Sequence, residues 1–261
     1  MANLRYETAG DGIAVATFDD PETRNALVDE DLAALGDVAR AVADDATVRA
    51  LLITGAGTSF CSGANLSKLE ALLAASPLDV AAALRRWQAP LVALERLEKP
   101  VVAAINGTCV AAGASIALAC DIRVAAESAR IGFPSVNVGL TTDLGCSWRL
   151  PRIVGAGWAK HCLLTGDLVD ARAAERIGLV TAVLPDDGFL DAAKELVRER
   201  LLLRSTAAQG VTKRLVDCGA DTDLDAALEH EALAQGVLYG EPDVREGHCA
   251  LVERRGPRFG A

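Results

Sequence analysis

The chain has 261 residues, 26 Lys+Arg against 36 Asp+Glu, a formal net charge of −10 and a pI near 4.8; 51% of residues are hydrophobic and 4% aromatic. This excludes a disordered chain, because so much apolar surface offsets the entropy of ordering. The acidic balance argues against nucleic acid or an anionic membrane as the main partner, although a local basic site for a small anion is compatible with it.

In chain order, residues 12–18 read as a strand rich in Val, Ile and Thr, broken by Asp20-Pro21. Leu and Ala recur at helical spacing over 28–42, and the run 50–54 reads as a fully buried strand of the kind found under helices. A glycine-rich turn then leads towards a helix at Ser67, and a further helix is predicted over 79–97. The 21 uncharged residues 100–120 are long enough on count alone to span a bilayer. Pro100, Asn106, Gly107, Thr108, Gly113 and Ser115 interrupt them, and Asn106-Gly107 is a strong turn signal. They divide into strand 101–105, a loop and a buried helix over 113–120, so no membrane is implied. Strand 122–125, helices 156–164 and 171–177 and strand 180–184 complete an α/β body. From Asp187 onward the pattern is helical, over 190–203, 207–218, 223–239 and 243–254. We expect a catalytic region over 1–195 and a helical region over 196–261 whose apolar stripes dock on a neighbouring subunit.

Cys61, Cys109, Cys120, Cys146, Cys162, Cys218 and Cys249 form an odd set with no Cys-x-x-Cys pair and no secretory leader before them. They read as reduced, small core residues of a cytoplasmic protein. Cys61 lies in a glycine-containing loop, but a thiol nucleophile needs an activating base, and His161, His230 and His248 are distant in sequence. These histidines have no short spacing to each other or to cysteine, so no metal site is expected.

Two loops are candidates for chemistry. The first, Gly55-Ala56-Gly57-Thr58-Ser59-Phe60-Cys61-Ser62-Gly63-Ala64-Asn65-Leu66, follows a buried strand. A dinucleotide fingerprint needs glycine where Phe60 stands, and a phosphate-loop lysine is missing. The loop is either a plain tight turn or a set of backbone N–H groups that meets a developing negative charge. The second, Asn106-Gly107-Thr108-Cys109-Val110-Ala111-Ala112-Gly113-Ala114-Ser115, also runs from a buried strand into a helix start and offers further unpaired donors. Two such loops are what a two-donor oxyanion hole requires.

Several ordered blocks resemble the enoyl-CoA hydratase/isomerase, or crotonase, family over essentially the whole chain. They are Asp20-Pro21 with Asn25-Ala26-Leu27, Phe60 to Leu66, Ala104-Ile105-Asn106-Gly107, Ala119-Cys120-Asp121-Ile122, Arg149-Leu150-Pro151-Arg152-Ile153-Val154-Gly155, residues 171–180 and Arg245-Glu246-Gly247. The resemblance implies an α/β fold built as a spiral of ββα units, with a C-terminal helical trimerisation region giving a homotrimer or a dimer of trimers. It also implies acyl-coenzyme A thioester substrates, with coenzyme A entering as part of the substrate and no permanently bound cofactor. By the same resemblance, the backbone N–H groups of Ala64 and Ala112 form the oxyanion hole. The family usually has glycine at the second position, yet the donor survives in Ala112 because only proline lacks it. Two aimed N–H donors in a dry pocket stabilise the enolate formed when a proton leaves next to a thioester.

Hydratases of this family place glutamates at the positions of Ser115 and Ser135. A serine hydroxyl titrates far above neutrality and is no general base by itself, which puts ordinary hydration in doubt. Asp143, in Gly139-Leu140-Thr141-Thr142-Asp143-Leu144-Gly145, matches an aspartate used by dienoyl-CoA isomerases, ring-forming epoxide isomerases and dehalogenases of the family; a turn or capping role also suits it. One carboxylate suits isomerisation, since it takes a proton from one carbon and returns it to another on the same face. We therefore expect Asp143 to shuttle the proton, Ala64 and Ala112 to hold the dienolate, and Ser115, Ser135, Asn137, Thr141 and Trp148 to shape the pocket. Arg24, with Ala26, Asn65 and Leu66, matches positions near the coenzyme. Arg254 matches a basic residue of the C-terminal helix, contributed from the adjacent subunit, although a basic helix end is also an ordinary dipole partner. An enoyl-CoA hydratase-like lyase, a thioester hydrolase or dehalogenase, and a catalytically silent acyl-CoA binder stay open as alternatives.

Overall fold

Strands whose residues are apolar without alternation must be covered on both faces, and the first sheet is built from them. The computed structural model describes residues 2–259. β1 (Leu4–Thr8) pairs antiparallel with β2 (Ile13–Phe18). α1 (Asp29–Asp44) crosses over, and β3 (Ala50–Gly55) returns parallel to β2 with Ile13 opposite Ala50. Every residue of β2 and β3 is buried. The chain then leaves this sheet for β4 (Ser59–Cys61), followed by α2 (Leu66–Leu73) and α3 (Pro77–Arg96), and rejoins it at β5 (Val101–Ile105) beside β3.

The same path repeats. β6 (Thr108–Val110) pairs with β4, α4 (Ala112–Ala119) follows, β7 (Ile122–Ala126) pairs with β5, and β8 (Arg130–Gly132) pairs with β6. Each turn thus gives one strand to each of two sheets and adds helix, which is the expected spiral of ββα units. α5 (Cys146–Thr165), β9 (Leu168–Asp170), α6 (Ala171–Arg176) and β10 (Ala182–Leu184) close it, giving sheet orders β1-β2-β3-β5-β7-β10 and β4-β6-β8-β9. The helical end comprises α7 (Phe189–Val197), a wide turn over Arg198–Leu202, α8 (Thr206–Gly219), α9 (Leu224–Leu238) and α10 (Pro242–Glu253).

Four features differ from expectation, the first being β1, which lies ahead of the first predicted strand. The whole second sheet was unforeseen, because three-residue strands carry no readable period. The predicted helix over 156–164 is the second half of α5: Gly155, at φ 76° and ψ 159°, breaks the helix, and a first half over 146–154 precedes it. Five cysteines are buried, but Cys218 and Cys249 are exposed, which corrects their reading as core residues.

α8 is fastened to the body. A Cβ on Gly210 would stand 2.3 Å from the Glu98 carbonyl oxygen, and Lys213 Nζ lies 2.9 Å from Asp121 and donates to the Leu94 carbonyl at 3.1 Å. α9, by contrast, buries no residue. The uncharged stretch resolves into β5, β6 and α4, and among the described residues no helix is long and apolar enough to cross a membrane. No group of three or more His, Cys, Asp and Glu among them could hold a metal ion.

Candidate active site

The two loops are held by asparagines that stand in for backbone. Asn25 is in the left-handed region at φ 58° and 2% exposed. Its Nδ2 donates to the carbonyls of Ala56 (3.0 Å), Ser59 (2.7 Å) and Phe60 (3.3 Å), and its Oδ1 accepts from the Asp20 N–H. Asn106 Nδ2 donates to Gly57 and Ser59, and its Oδ1 accepts from the Gly55 N–H. The turn around 55–59 is thereby pinned from both sides.

The close approach of the two loops needs glycine at two positions. A Cβ on Gly113 would lie 2.6 Å from the Cys61 carbonyl oxygen, so only glycine lets α4 start against β4. A Cβ on Gly63 would lie 2.9 Å from the Ala111 Cβ and 3.7 Å from the Ala112 nitrogen. Beside it, Leu27 pairs in parallel with Ala64: the Leu27 N–H donates to Gly63 O, and Leu27 O accepts from the Asn65 N–H. Those bonds use the neighbours of Ala64, so its own N–H faces away from Leu27. The Ala112 N–H is the first of α4 and has no acceptor within the helix. Neither N–H donates to an acceptor among the described residues, and the contacts of Gly63 bring their two loops together. Ala111, between β6 and α4, is held at φ 50°, ψ −122°, a conformation that favours glycine.

Asp143 lies just ahead of α5, where Leu144 and Gly145 take consecutive left-handed conformations at φ 48° and 82°. Arg149 braces this turn. Its guanidinium forms a two-pronged ion pair with Glu95 and also donates to the Leu144 carbonyl. Asp143 is half-buried and meets no cation among the described residues, and its partial burial raises its carboxyl above the ordinary value. Ser115 Oγ, 1% exposed in residue terms, donates to the Ala111 carbonyl at 3.2 Å and lies 3.0 Å from Cys146 Sγ, in hydrogen-bond contact. Cys146, assigned to the core from sequence, therefore joins the Asp143 turn to the Ala112 loop. A cysteine among apolar neighbours gives no signal that would reveal this.

The other expected residues are distributed as follows. Ser135 is half-buried and its carbonyl accepts from the Leu140 N–H; Thr141 is exposed. The Asn137 amide lies against Gly166 at the end of α5, where a Cβ would come within 2.7 Å of it. Trp148 faces a different space, a cavity of about 880 Å³ between α5 and α8 that none of Ala64, Ala112 or Asp143 lines. There the Arg152 guanidinium stacks 3.9 Å from the Trp148 ring centre. Arg24, Ala26, Asn65 and Leu66 come together around the Leu27–Ala64 pairing, where Ser62 N–H donates to Arg24 O. The Arg24 guanidinium has no carboxylate partner among the described residues. Arg254 ends α10, which no hydrogen bond or ion pair among the described residues joins to the Arg24 segment; its neighbour Arg255 is committed to Glu246 and Glu253. Burial pushes the Cys61 thiol up to about 12, so it is not a poised nucleophile.

A sequence model described as Enoyl-CoA hydratase/isomerase matches residues 8–261. A crotonyl-CoA hydratase from Syntrophomonas wolfei is 37% identical over 248 residues, covering 95% of this chain and 94% of that protein. A 1,2-epoxyphenylacetyl-CoA isomerase from Escherichia coli is 34% identical and covers 95% of each chain. The crystal structure of an enoyl-CoA hydratase from Polaromonas sp. JS666 superposes with a TM-score of 0.93 at 30% identity, over 98% of this chain and 99% of that one.

Proposed function

Because the chain belongs to the enoyl-CoA hydratase/isomerase family, we propose that it moves a double bond within an enoyl- or dienoyl-coenzyme A thioester, with Asp143 as proton shuttle and the Ala64 and Ala112 N–H groups as oxyanion hole. The observation that carries this reading is a half-buried carboxylate, free of cations, on a turn whose Asp143 carbonyl accepts from the Cys146 N–H and whose Cys146 thiol meets Ser115 beside the loop that bears Ala112. Asp143 takes a proton from one carbon of the acyl chain, and the thioester oxygen, now an enolate, is held by the two N–H donors. Asp143 then returns the proton to a second carbon, so the carboxylate is regenerated and no water is consumed. Serine at 115 and 135 leaves no second carboxylate at those positions for activating water. The likeness to an epoxyphenylacetyl-CoA isomerase agrees with this choice.

A second reading, hydration, draws on the 37% identity to a crotonyl-CoA hydratase. Parallel incubation with a 3-enoyl- and a 2-enoyl-coenzyme A ester separates the two: an isomerase converts the 3-enoyl ester to its conjugated isomer at unchanged mass, whereas a hydratase adds one water to the 2-enoyl ester and leaves the 3-enoyl ester unconverted. A 3-enoyl ester left unconverted while the 2-enoyl ester is hydrated overturns the isomerase reading.

In this reading the coenzyme phosphates meet Arg24 and, from a neighbouring copy, Arg254. The same copy covers Leu224, Leu228, Leu233 and Val237 of α9, each more than half exposed. A placed guanidinium is what an anion needs on a protein of net charge −10.

A further inference from the structure

The space between the Asp143 turn and the start of α4 is closed by a chain of short side chains. Cys146 Sγ lies 3.0 Å from Ser115 Oγ, and Ser115 Oγ donates to the Ala111 carbonyl. With the serine proton on Ala111, the thiol proton points to Ser115, so both donors have a use. Cys146 is 1% exposed and Ser115 is equally buried. Among the described residues no buried side-chain nitrogen or oxygen is left without a hydrogen-bond partner, so this wall offers a water no orphaned group to bind. Sulfur is a weak donor and acceptor, and it fills the gap with apolar bulk rather than with a group that retains solvent.

From this arrangement we infer that Cys146 is a positioning residue whose side chain fills the gap between the Asp143 turn and Ser115 and keeps water out of it, restricting the Asp143 carboxylate to carbon-to-carbon proton transfer. The inference rests on the isomerase reading above and adds what sets the product. Burial keeps the thiol neutral, in agreement with a space-filling role. Were water admitted, the competing reaction would balance as follows. The water oxygen bonds to the β-carbon of a 2-enoyl ester while Asp143 takes one of its protons, and the electron pair of the double bond, moved to the α-carbon, receives that proton back. The product is the 3-hydroxyacyl ester.

The test compares wild type, Cys146→Ser and Cys146→Ala on a 3-enoyl-coenzyme A ester in ¹⁸O-labelled water, with isomer and labelled hydrate counted by mass spectrometry. Serine keeps the size but offers a strong hydrogen-bonding group beside Asp143, and the hydrate-to-isomer ratio is expected to rise about tenfold. Alanine leaves a small apolar gap that stays dry, so the ratio stays near that of wild type, which also guards against a folding effect. A ratio in Cys146→Ser equal to wild type, with isomerisation intact, overturns the inference alone; a ratio that rises equally in Cys146→Ala does so too. A wild type that yields mainly hydrate overturns the inference alone, whereas a wild type that leaves the 3-enoyl ester unconverted overturns the inference and the isomerase reading together.

Discussion

Ala111 carries a methyl group at φ 50°, ψ −122°, where side chains are rarely found, and it immediately precedes the Ala112 donor. Its carbonyl is fixed by the Ser115 hydroxyl and its N–H by Gly132 O at 3.1 Å, so the surroundings enforce the strain. Ala111→Gly should therefore stabilise the protein by about 1 kcal/mol, after the entropy cost of glycine, and raise Tm by roughly 2–3 °C in a thermal scan. Asp143 makes a different prediction. Burial raises its folded value above the unfolded one, so the native state holds the proton more tightly, and stability falls as pH rises through the window between the two values and stays lost above it. The base must be ionised, so kcat/KM should fall on acidification at a higher pH than an ordinary carboxylate gives, as a pH–rate profile would record. At residue scale the sequence was only partly legible. Asn106-Gly107 announces its turn, but the importance of Asp143 came from the order of neighbouring blocks, and Cys146 was hidden because a small buried thiol looks alike in a core and in an active-site wall.

Among the elements, β3 and β5 could be read because they are uninterrupted apolar runs buried on both faces. β4, β6, β8 and β9 could not: Thr-Cys-Val in β6 becomes a strand only because β4 and β8 flank it, Thr108 opposite Ser59 and Arg130, with the β4 register shifting at a bulge between Ser59 and Cys61. The first half of α5 was masked by Pro151 and Gly155, yet it supplies Arg149, the brace of the Asp143 turn. Lysine keeps the charge but cannot make the two-pronged bond to Glu95 while also reaching Leu144 O. Arg149→Lys is thus expected to cost about 2 kcal/mol in urea unfolding and to lower kcat about tenfold through a loosened Asp143, with KM less affected.

For the molecule as a whole, α8 belongs with the body through Gly210 and Lys213, so the free surface of the helical region begins at α9 rather than at residue 196. Leu224 and Leu228 lie on one side of α9, and Leu233 and Val237 on the other, so a single protomer leaves both sides exposed. A helix with apolar surface on both sides belongs between other elements. Light scattering should accordingly give a mass that is a multiple of 27.1 kDa, and Leu228→Asp with Val237→Asp should lower it; a monomeric wild type would contradict this arrangement. Apolar stripes in the sequence announced the need for a cover, but only the packing of α8 identifies which helices still lack one.

The central claim, that one carboxylate carries the proton, is tested most directly by the turnover of a 3-enoyl-coenzyme A ester by Asp143→Asn beside wild type. Removing a general base in a site without a substitute predicts a loss of roughly 10²- to 10⁴-fold. The same substitution removes a half-buried charge, so Tm at neutral pH should rise rather than fall, which separates lost chemistry from lost structure. Turnover within about twofold of wild type would contradict the account.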